Sequence, residues 1–266
     1  MEIGISSACF YPKVPIEKSM KVMKDLGFNT GEIFLNTYSE YDEEFIKILV
    51  DQREENNFLV NSIHAFSSAF EPYLFDTYKR RQRDMLKIFR KVCRAGNLLK
   101  ANYYTFHGMR RTSLLDLNIN YIADIYDELN YIANEEGIKL AQENVAWCMS
   151  SNVNFLNELN EKCRLTMNYT LDIKQAFKIG IDPIEYINIM GSKVVNVHIN
   201  DRDENNICLL PGKGDINFKK ICCKLKEIGY NNVYTIEVYN HNYSSYSEII
   251  ESKDFLKKVL LWPKIL

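Results

Sequence analysis

The feature that most constrains the fold is a strict alternation of two hydrophobic patterns along the whole chain. Short runs rich in Val, Ile, Tyr and Phe alternate with stretches whose apolar residues recur at every third and fourth position. The eight candidate strands are EIGIS at 2, GEIFL at 31, FLVNSIH at 58, NYYTFH at 102, IKLAQEN at 138, MNYTLD at 167, KVVNVHI at 193 and NVYTIEV at 232. Alternation without a Pro-, Gly- or Ser-rich linker predicts a single parallel-sheet domain.

Eight strand–helix units within 266 residues predict an α/β fold, a (β/α)8 TIM barrel, with residues 1–266 forming one domain. A doubly wound open sheet would also alternate, but it needs a glycine-rich phosphate loop after its first strand. The segment at that place, ISSACFYPK, contains no glycine, which favours the barrel. Left-handed glycines are expected where helical stretches end, at Gly27, Gly96, Gly137 and Gly229.

Charge and apolar run length exclude several classes of protein. The formal net charge of −2 indicates no broad basic face, so we predict no nucleic-acid partner. The N-terminal MEIGISSACF lacks the pattern of a signal peptide, and no apolar run approaches about 20 residues, so we predict no membrane span. The seven cysteines include no CxxC pair and are interpreted as reduced thiols of a soluble cytoplasmic protein.

Polar residues that can bind metals fall at the carboxyl ends of six candidate strands. In strand order, from the third to the eighth, they are His64, His107, Glu143, Asp172, His198 and Glu237. These ends form one rim in a barrel, and barrel enzymes keep their active sites there. Taken alone, each histidine would be interpreted as a hydrogen-bonded residue of the core or rim. Each acid would be interpreted as the cap of the following helix. Together, carboxylates on apolar strands need compensation, and a divalent cation is the simplest: Mn²⁺, Mg²⁺, Co²⁺ or Zn²⁺. No organic cofactor is indicated.

Five segments resemble the recurring blocks of the xylose isomerase-like superfamily. They are AQEN at 141, LDIKQAFKIGIDP at 171, VHINDRD at 197, PGKGDINF at 211 and TIEVY at 235. That group contains sugar isomerases and epimerases, inosose-processing enzymes, hydroxypyruvate isomerase and the endonuclease IV family. The resemblance implies one divalent metal ion held by Glu143, Asp172, His198 and Glu237, with Glu143 and Glu237 also acting as catalytic acid and base.

The resemblance implies a metal-dependent isomerase or epimerase that acts on a small sugar or polyol. Such an enzyme moves a proton beside the carbonyl of an α-hydroxy carbonyl compound through a metal-stabilised enediolate. The candidate substrate-binding residues are His64, His107, Gln175, Arg202 and Trp147. Trp147 either stacks on the sugar or covers the barrel mouth, and a surface salt bridge is the alternative for Arg202. Because similar enzymes are commonly dimers or tetramers, a homodimer or homotetramer is an expectation.

Departures from the family pattern keep two alternatives open. Gln175 stands where many members have a substrate- or metal-binding histidine, and NNICLLPGKG offers Asn206 and Cys208 where the endonuclease branch has an Asp-x-His pair. One alternative is an endonuclease IV-like phosphodiesterase with a second metal at His64, His107 and Glu143. The other is a non-catalytic sugar-binding barrel.

Two acidic residues near the rim have other interpretations. Glu32, at the end of the second candidate strand, is interpreted as structural. Asp201 either orients His198 or caps a loop, and the sequence leaves both roles open.

Overall fold

In the computed structural model, which describes residues 1–261, eight parallel strands close into one barrel. The strands are β1 (Glu2–Ser6), β2 (Thr30–Phe34), β3 (Leu59–His64), β4 (Tyr103–Phe106), β5 (Lys139–Glu143), β6 (Asn168–Asp172), β7 (Val194–Ile199) and β8 (Val233–Ile236). They pair in chain order, and β1 closes the barrel against β8. The predicted single-domain (β/α)8 barrel is confirmed. Residues 262–266 of the predicted domain lie outside the described residues.

Helices surround the barrel and connect successive strands. In the described residues they are α1 (Ile16–Asp25), α2 (Glu43–Glu55), α3 (Lys79–Leu98), α4 (Ile119–Glu135), α5 (Val153–Lys162), α6 (Ile173–Lys178), α7 (Pro183–Met190), α8 (Phe218–Glu227) and α9 (Tyr246–Leu260). No helix within residues 1–261 combines the length and the apolar character that crossing a membrane requires.

Three of the four glycines expected at helix ends adopt the left-handed conformation. Gly27, Gly137 and Gly229 have φ of 78°, 82° and 83°. The prediction for Gly96 is wrong, because Gly96 lies inside α3, and the positive φ of 54° falls at Lys100. A Cβ at Gly96 would collide with Ile63 and Ile138, so this glycine lets α3 approach the barrel closely.

The barrel wall separates an apolar layer from a polar interior. On β7, Asn196 and His198 share the inner face, because successive side chains of a strand point to opposite sides. Val197 and Ile199 are completely buried on the other side, toward the helices. The hydrophobic core therefore lies mainly between strands and helices, and the interior carries the polar groups of the site.

Candidate metal centre

Four side chains at the carboxyl end of the barrel converge on one point. Glu143 and Asp172 are the last residues of β5 and β6, His198 is the penultimate residue of β7, and Glu237 follows β8. One ligand atom from each lies within 4.8 Å of the others, and no member is more than 9 % exposed. These are the four residues for which metal binding was predicted, and the barrel brings all four together.

The Nδ1 atom of His198 faces the three carboxylates. It lies 3.3 Å from Glu143 Oε1, 3.4 Å from Glu237 Oε2 and 3.9 Å from Asp172 Oδ2. One buried oxygen of this group, Asp172 Oδ2, accepts no hydrogen bond. A buried carboxylate oxygen without a hydrogen bond is costly, and a divalent cation beside it would reduce that cost. The donor set of one imidazole and three carboxylates therefore fits a divalent metal ion.

The other nitrogen of His198 contacts a buried glutamate. Nε2 lies 3.0 Å from Glu32 Oε2, and Glu32 also accepts hydrogen bonds from Ser62 (2.8 Å) and Thr105 (2.9 Å). A carboxylate at this place holds the proton on Nε2 and leaves the Nδ1 lone pair free for a metal. Glu32 was interpreted as structural, and this contact adds an orienting role. The sequence signal for this role was an acid in the middle of β2, which reads TGEIF.

Neighbouring charges keep the two predicted catalytic glutamates ionised. Burial opposes ionisation of Glu143, but His107, His198 and His64 outweigh it and hold the pKa of Glu143 well below its usual range. Burial likewise opposes ionisation of Glu237, and Lys174 and His198 outweigh it, so the pKa of Glu237 is also well below its usual range. Both carboxylates are therefore in the form that accepts a proton.

Asp172 behaves differently from the two glutamates. Burial, together with the charges of Glu143 and Glu237, raises the pKa of Asp172 to about 7, although Lys174 works in the opposite direction. Asp172 therefore holds its proton more firmly than an ordinary aspartate, because Glu143 and Glu237 are already ionised beside it. A divalent cation bound here would favour the ionised form of Asp172.

Lys174 is a member of the site that sequence reasoning missed. Its side chain is 3 % exposed, and Nζ lies 3.1 Å from Glu237 Oε2 and 3.6 Å from Asp172 Oδ2. From the sequence alone, a lysine in the segment IKQAFK would be expected on the solvent-exposed face of a helix. Because α6 begins at Ile173, directly after Asp172, Lys174 enters the site in the first helical turn.

A second group of potential ligands adjoins the first. His64 Nε2 and His107 Nε2 are 2.8 Å apart, and Glu143 Oε2 lies 2.8 Å from His107 Nε2 and 3.7 Å from His64 Nε2. Nδ1 of His64 contacts the Ala65 carbonyl at 2.8 Å, which leaves its Nε2 facing the group. Burial disfavours the charged imidazole of His64, but Glu143 and Glu32 raise its pKa to about 9. This group could hold a second metal ion or contact a substrate.

A cavity of about 620 Å³ opens over both groups. Among the residues that line it are His64, His107, Trp147, Gln175 and both predicted catalytic glutamates. A larger cavity of about 720 Å³ lies at the opposite end of the barrel, around the first residues of the strands, away from these groups. The smaller cavity is therefore the candidate substrate site.

The predicted substrate-binding residues have unequal positions. The ring of Trp147 lies edge-on to His107, with centroids 5.6 Å apart, and the amide oxygen of Gln175 accepts a hydrogen bond from the backbone of Ala146. Arg202 is exposed, lies 4.3 Å from the centre of the Phe177 ring and is not part of the cavity lining. The structure therefore brings four of the five candidates to the cavity and leaves Arg202 outside.

The structure decides between the two roles considered for Asp201. Its carboxylate accepts hydrogen bonds from the backbone N–H groups of Arg202, Gly212, Gly214 and Ile216. Within residues 1–261, no hydrogen bond or ion pair joins Asp201 to His198 or to Glu32, the residue that does contact His198. Asp201 caps the loop after β7, and Glu32 is the residue that orients His198.

Comparisons with known proteins agree with this architecture. A family model described as a xylose isomerase-like TIM barrel matches residues 20–259. The chain belongs to this family. An uncharacterized protein of Methanocaldococcus jannaschii is 26 % identical over 280 residues, which cover 98 % of this chain and 89 % of that protein.

Solved structures of similar fold include sugar epimerases. A D-tagatose 3-epimerase-like protein is 24 % identical, with a TM-score of 0.79 and coverage of 98 % of this chain and 97 % of its own. The IolI protein with a bound zinc atom is 17 % identical, with a TM-score of 0.79 and 98 % coverage of both chains. The 3-keto-D-glucoside 4-epimerase YcjR of E. coli is 15 % identical, with a TM-score of 0.77 and coverage of 97 % and 99 %. At these identities the likeness establishes the fold.

Proposed function

We propose that the chain is a divalent-metal-dependent isomerase or epimerase that acts on an α-hydroxy carbonyl sugar or polyol. The observation that carries this proposal is the convergence of Glu143, Asp172, His198 and Glu237 beneath the cavity, where Asp172 Oδ2 is buried without a hydrogen bond. The solved epimerases of the same fold support a small sugar as substrate, and IolI with its zinc atom supports a metal.

In this proposal the cation activates the substrate, and the two glutamates transfer the proton. A divalent cation held by these four residues would polarise a substrate carbonyl and acidify the neighbouring C–H bond. Glu143 and Glu237 both line the cavity and both have depressed pKa values, so either can remove that proton. Return of a proton to the opposite face of the same carbon gives an epimer, and return to the neighbouring carbon gives an isomer.

The remaining cavity residues would position the substrate. His64 and His107 present ring nitrogens beside Glu143, and Trp147 offers a flat apolar surface at the cavity wall. Gln175 has an amide oxygen bonded to Ala146, so its N–H groups are the part available to a substrate hydroxyl. Arg202 lies outside the cavity lining, and its contact with the substrate stays a prediction.

The direct test is proton exchange with solvent. Protein reconstituted with Mn²⁺ would be incubated with a panel of ketoses in D₂O, and deuterium incorporation measured by mass spectrometry. We expect incorporation for at least one sugar and its loss, by more than roughly 100-fold, in Glu237→Gln and Glu143→Gln.

Two measurements make this test decisive. The bound metal of each variant is counted, because both glutamates are also proposed ligands, and Glu251→Gln serves as control, since Glu251 is exposed and pairs with Lys213. Wild-type exchange in Glu237→Gln, or no exchange in a metal-loaded wild-type protein with any sugar, would contradict the proposal.

The second candidate function is metal-dependent phosphodiester hydrolysis, and the group His64, His107 and Glu143 favours it. Within residues 1–261, Cys208 belongs to neither of the two groups of potential ligands, and Asn206 replaces a charged ligand of the endonuclease branch by an amide. Cleavage of a duplex with an abasic site, lost in His107→Ala, would favour this function over isomerisation.

A further inference from the structure

Lys174 places a fixed positive charge within the proposed metal centre. Its ammonium lies 3.1 Å from Glu237 Oε2 and 3.6 Å from Asp172 Oδ2, and both oxygens belong to carboxylates proposed as metal ligands. The side chain is 3 % exposed, so the contact is not a solvated surface pair. Asp172 Oδ2 has no hydrogen bond, and among the ion pairs of residues 1–261 Lys174 is the one lysine or arginine that pairs with this oxygen.

We propose that Lys174 is an internal counter-cation that holds Glu237 and Asp172 in the metal-free protein and competes with the divalent ion for them. The inference rests on the proposed function, because it assumes that these carboxylates bind a metal. It assigns a role to a residue outside the predicted ligand set and concerns how readily the site takes up and releases its ion.

The carboxylates around His198 concentrate negative charge in a small buried volume. Four buried carboxylates, from Glu32, Glu143, Asp172 and Glu237, lie around His198. Buried carboxylates close to one another destabilise a fold unless cations compensate them. Among the ion pairs of residues 1–261, Lys174 supplies the one ammonium or guanidinium that contacts any of these four.

A divalent ion bound by Glu237 and Asp172 would lie close to the ammonium of Lys174. A metal ion bound to Glu237 and Asp172 would lie about 2.1 Å from an oxygen of each. The ammonium already contacts oxygens of the same two residues, so the two cations would be close neighbours in a site of low dielectric. Metal binding must therefore displace the ammonium or proceed against its repulsion.

A second partner for the Lys174 ammonium lies close by. The ring centre of Tyr239 lies 5.0 Å from Lys174 Nζ, within the distance at which an aromatic face attracts a cation. The lysine stem has four rotatable carbons, so a small shift moves the charge from the carboxylates toward this ring. Displacement costs the contact with Glu237 and Asp172 but does not leave the ammonium without a partner.

The test compares Mn²⁺ binding by the metal-free wild-type protein and by Lys174→Met, in which an unbranched apolar side chain fills the same space. We expect Lys174→Met to bind Mn²⁺ roughly tenfold or more tightly in a calorimetric titration, because one repulsive charge is gone. We also expect the metal-free variant to melt several degrees lower than the metal-free wild type, and saturating Mn²⁺ to abolish the difference.

Lys178→Met is the matched control. Lys178 lines the same cavity one helical turn further along α6 and forms no ion pair with the four ligands in residues 1–261. Its variant should bind Mn²⁺ as the wild type does. If Lys174→Met does not fold without metal, Lys174→Gln takes its place, since an amide can still donate a hydrogen bond to Glu237.

The outcomes separate this inference from the proposed function. Mn²⁺ affinity in Lys174→Met or Lys174→Gln that is equal to or weaker than that of the wild type overturns the inference, whatever the melting temperature. A wild-type protein that binds no divalent ion overturns the proposed function and this inference with it. Tighter binding in both Lys174 variants and unchanged binding in Lys178→Met would establish the competition.

Discussion

Asp172 and Asp201 are both buried aspartates at the carboxyl end of the barrel, yet their surroundings are opposite. Asp201 accepts hydrogen bonds from four backbone N–H groups, two on each oxygen, at 2.9–3.1 Å. Asp172 accepts from Gln175 N at 3.0 Å and Asn200 Nδ2 at 3.4 Å on one oxygen, and its other oxygen has no hydrogen bond. One carboxylate is saturated by the chain, and the other is left with capacity for a cation.

The difference shows how a structural carboxylate can be told from a metal-binding one. A carboxylate whose lone pairs are all used by backbone donors stabilises a loop and has nothing to offer a ligand. A carboxylate that keeps a buried oxygen without a hydrogen bond can still bind a cation, and the other potential ligands lie close to that oxygen of Asp172. Three substitutions test this comparison.

Asp172→Asn should have the largest effect on metal binding. The loss of one charged ligand should weaken Mn²⁺ binding by more than roughly 100-fold, the upper limit for changes outside the ligand set. Because the pKa of Asp172 is raised to about 7, its ionised form lowers stability above that pH, and asparagine does not. The free energy of unfolding of the metal-free variant at pH 8 should therefore equal or exceed that of the wild type.

Calorimetric titration and urea denaturation measure the two quantities for Asp172→Asn. Wild-type Mn²⁺ affinity in this variant would mean that Asp172 is not a ligand, and the contrast with Asp201 would lose its functional meaning.

Asp201→Asn should lower the stability of the protein and leave its metal affinity nearly unchanged. The amide nitrogen cannot accept hydrogen bonds, so two of the four backbone N–H groups lose their partner, and we expect a loss of about 3 kcal/mol in the free energy of unfolding. Mn²⁺ affinity should stay within about threefold of the wild type, since Asp201 lies outside the ligand group. A large loss of metal affinity with unchanged stability would reverse the two assignments.

Glu32→Gln should weaken metal binding less than Asp172→Asn does, but more than Asp201→Asn does. Glu32 contacts the metal-distal nitrogen of His198, and loss of such an orienting carboxylate typically weakens metal binding roughly 10- to 100-fold. Glu71→Gln is the matched control, because Glu71 is also completely buried but binds Tyr104 and the backbone of His107 and Gly108. Equal Mn²⁺ affinity in both variants would show that Glu32 does not orient His198.

The sequence predicted the barrel and its polar rim because both depend on local patterns. Apolar runs marked the strands, and the rule that strand ends form one rim placed six residues together: His64, His107, Glu143, Asp172, His198 and Glu237. The choice of four of them as metal ligands came from the family resemblance. The one helix-end glycine predicted incorrectly, Gly96, follows a pattern that fits either a helix end or a close packing contact.

Contacts that depend on closure of the barrel could not be predicted in the same way. Glu32 and His198 are 166 positions apart, and their contact requires the register of several strand pairs. The burial of Lys174 depends on the residue at which α6 begins, and the four partners of Asp201 depend on the path of one loop. Each of these follows from tertiary geometry and not from residue type.

The central claim is that Glu143, Asp172, His198 and Glu237 hold one divalent ion. The most direct measurement is the number of Mn²⁺ ions retained per chain after chelator treatment and reconstitution, by elemental analysis of the wild type, His198→Ala and His241→Ala. His241 lines the same cavity outside the ligand group and controls for loss of an imidazole. We predict one ion per chain in the wild type and in His241→Ala, and none in His198→Ala. No ion in the wild type, or an equal count in His198→Ala, would contradict the account.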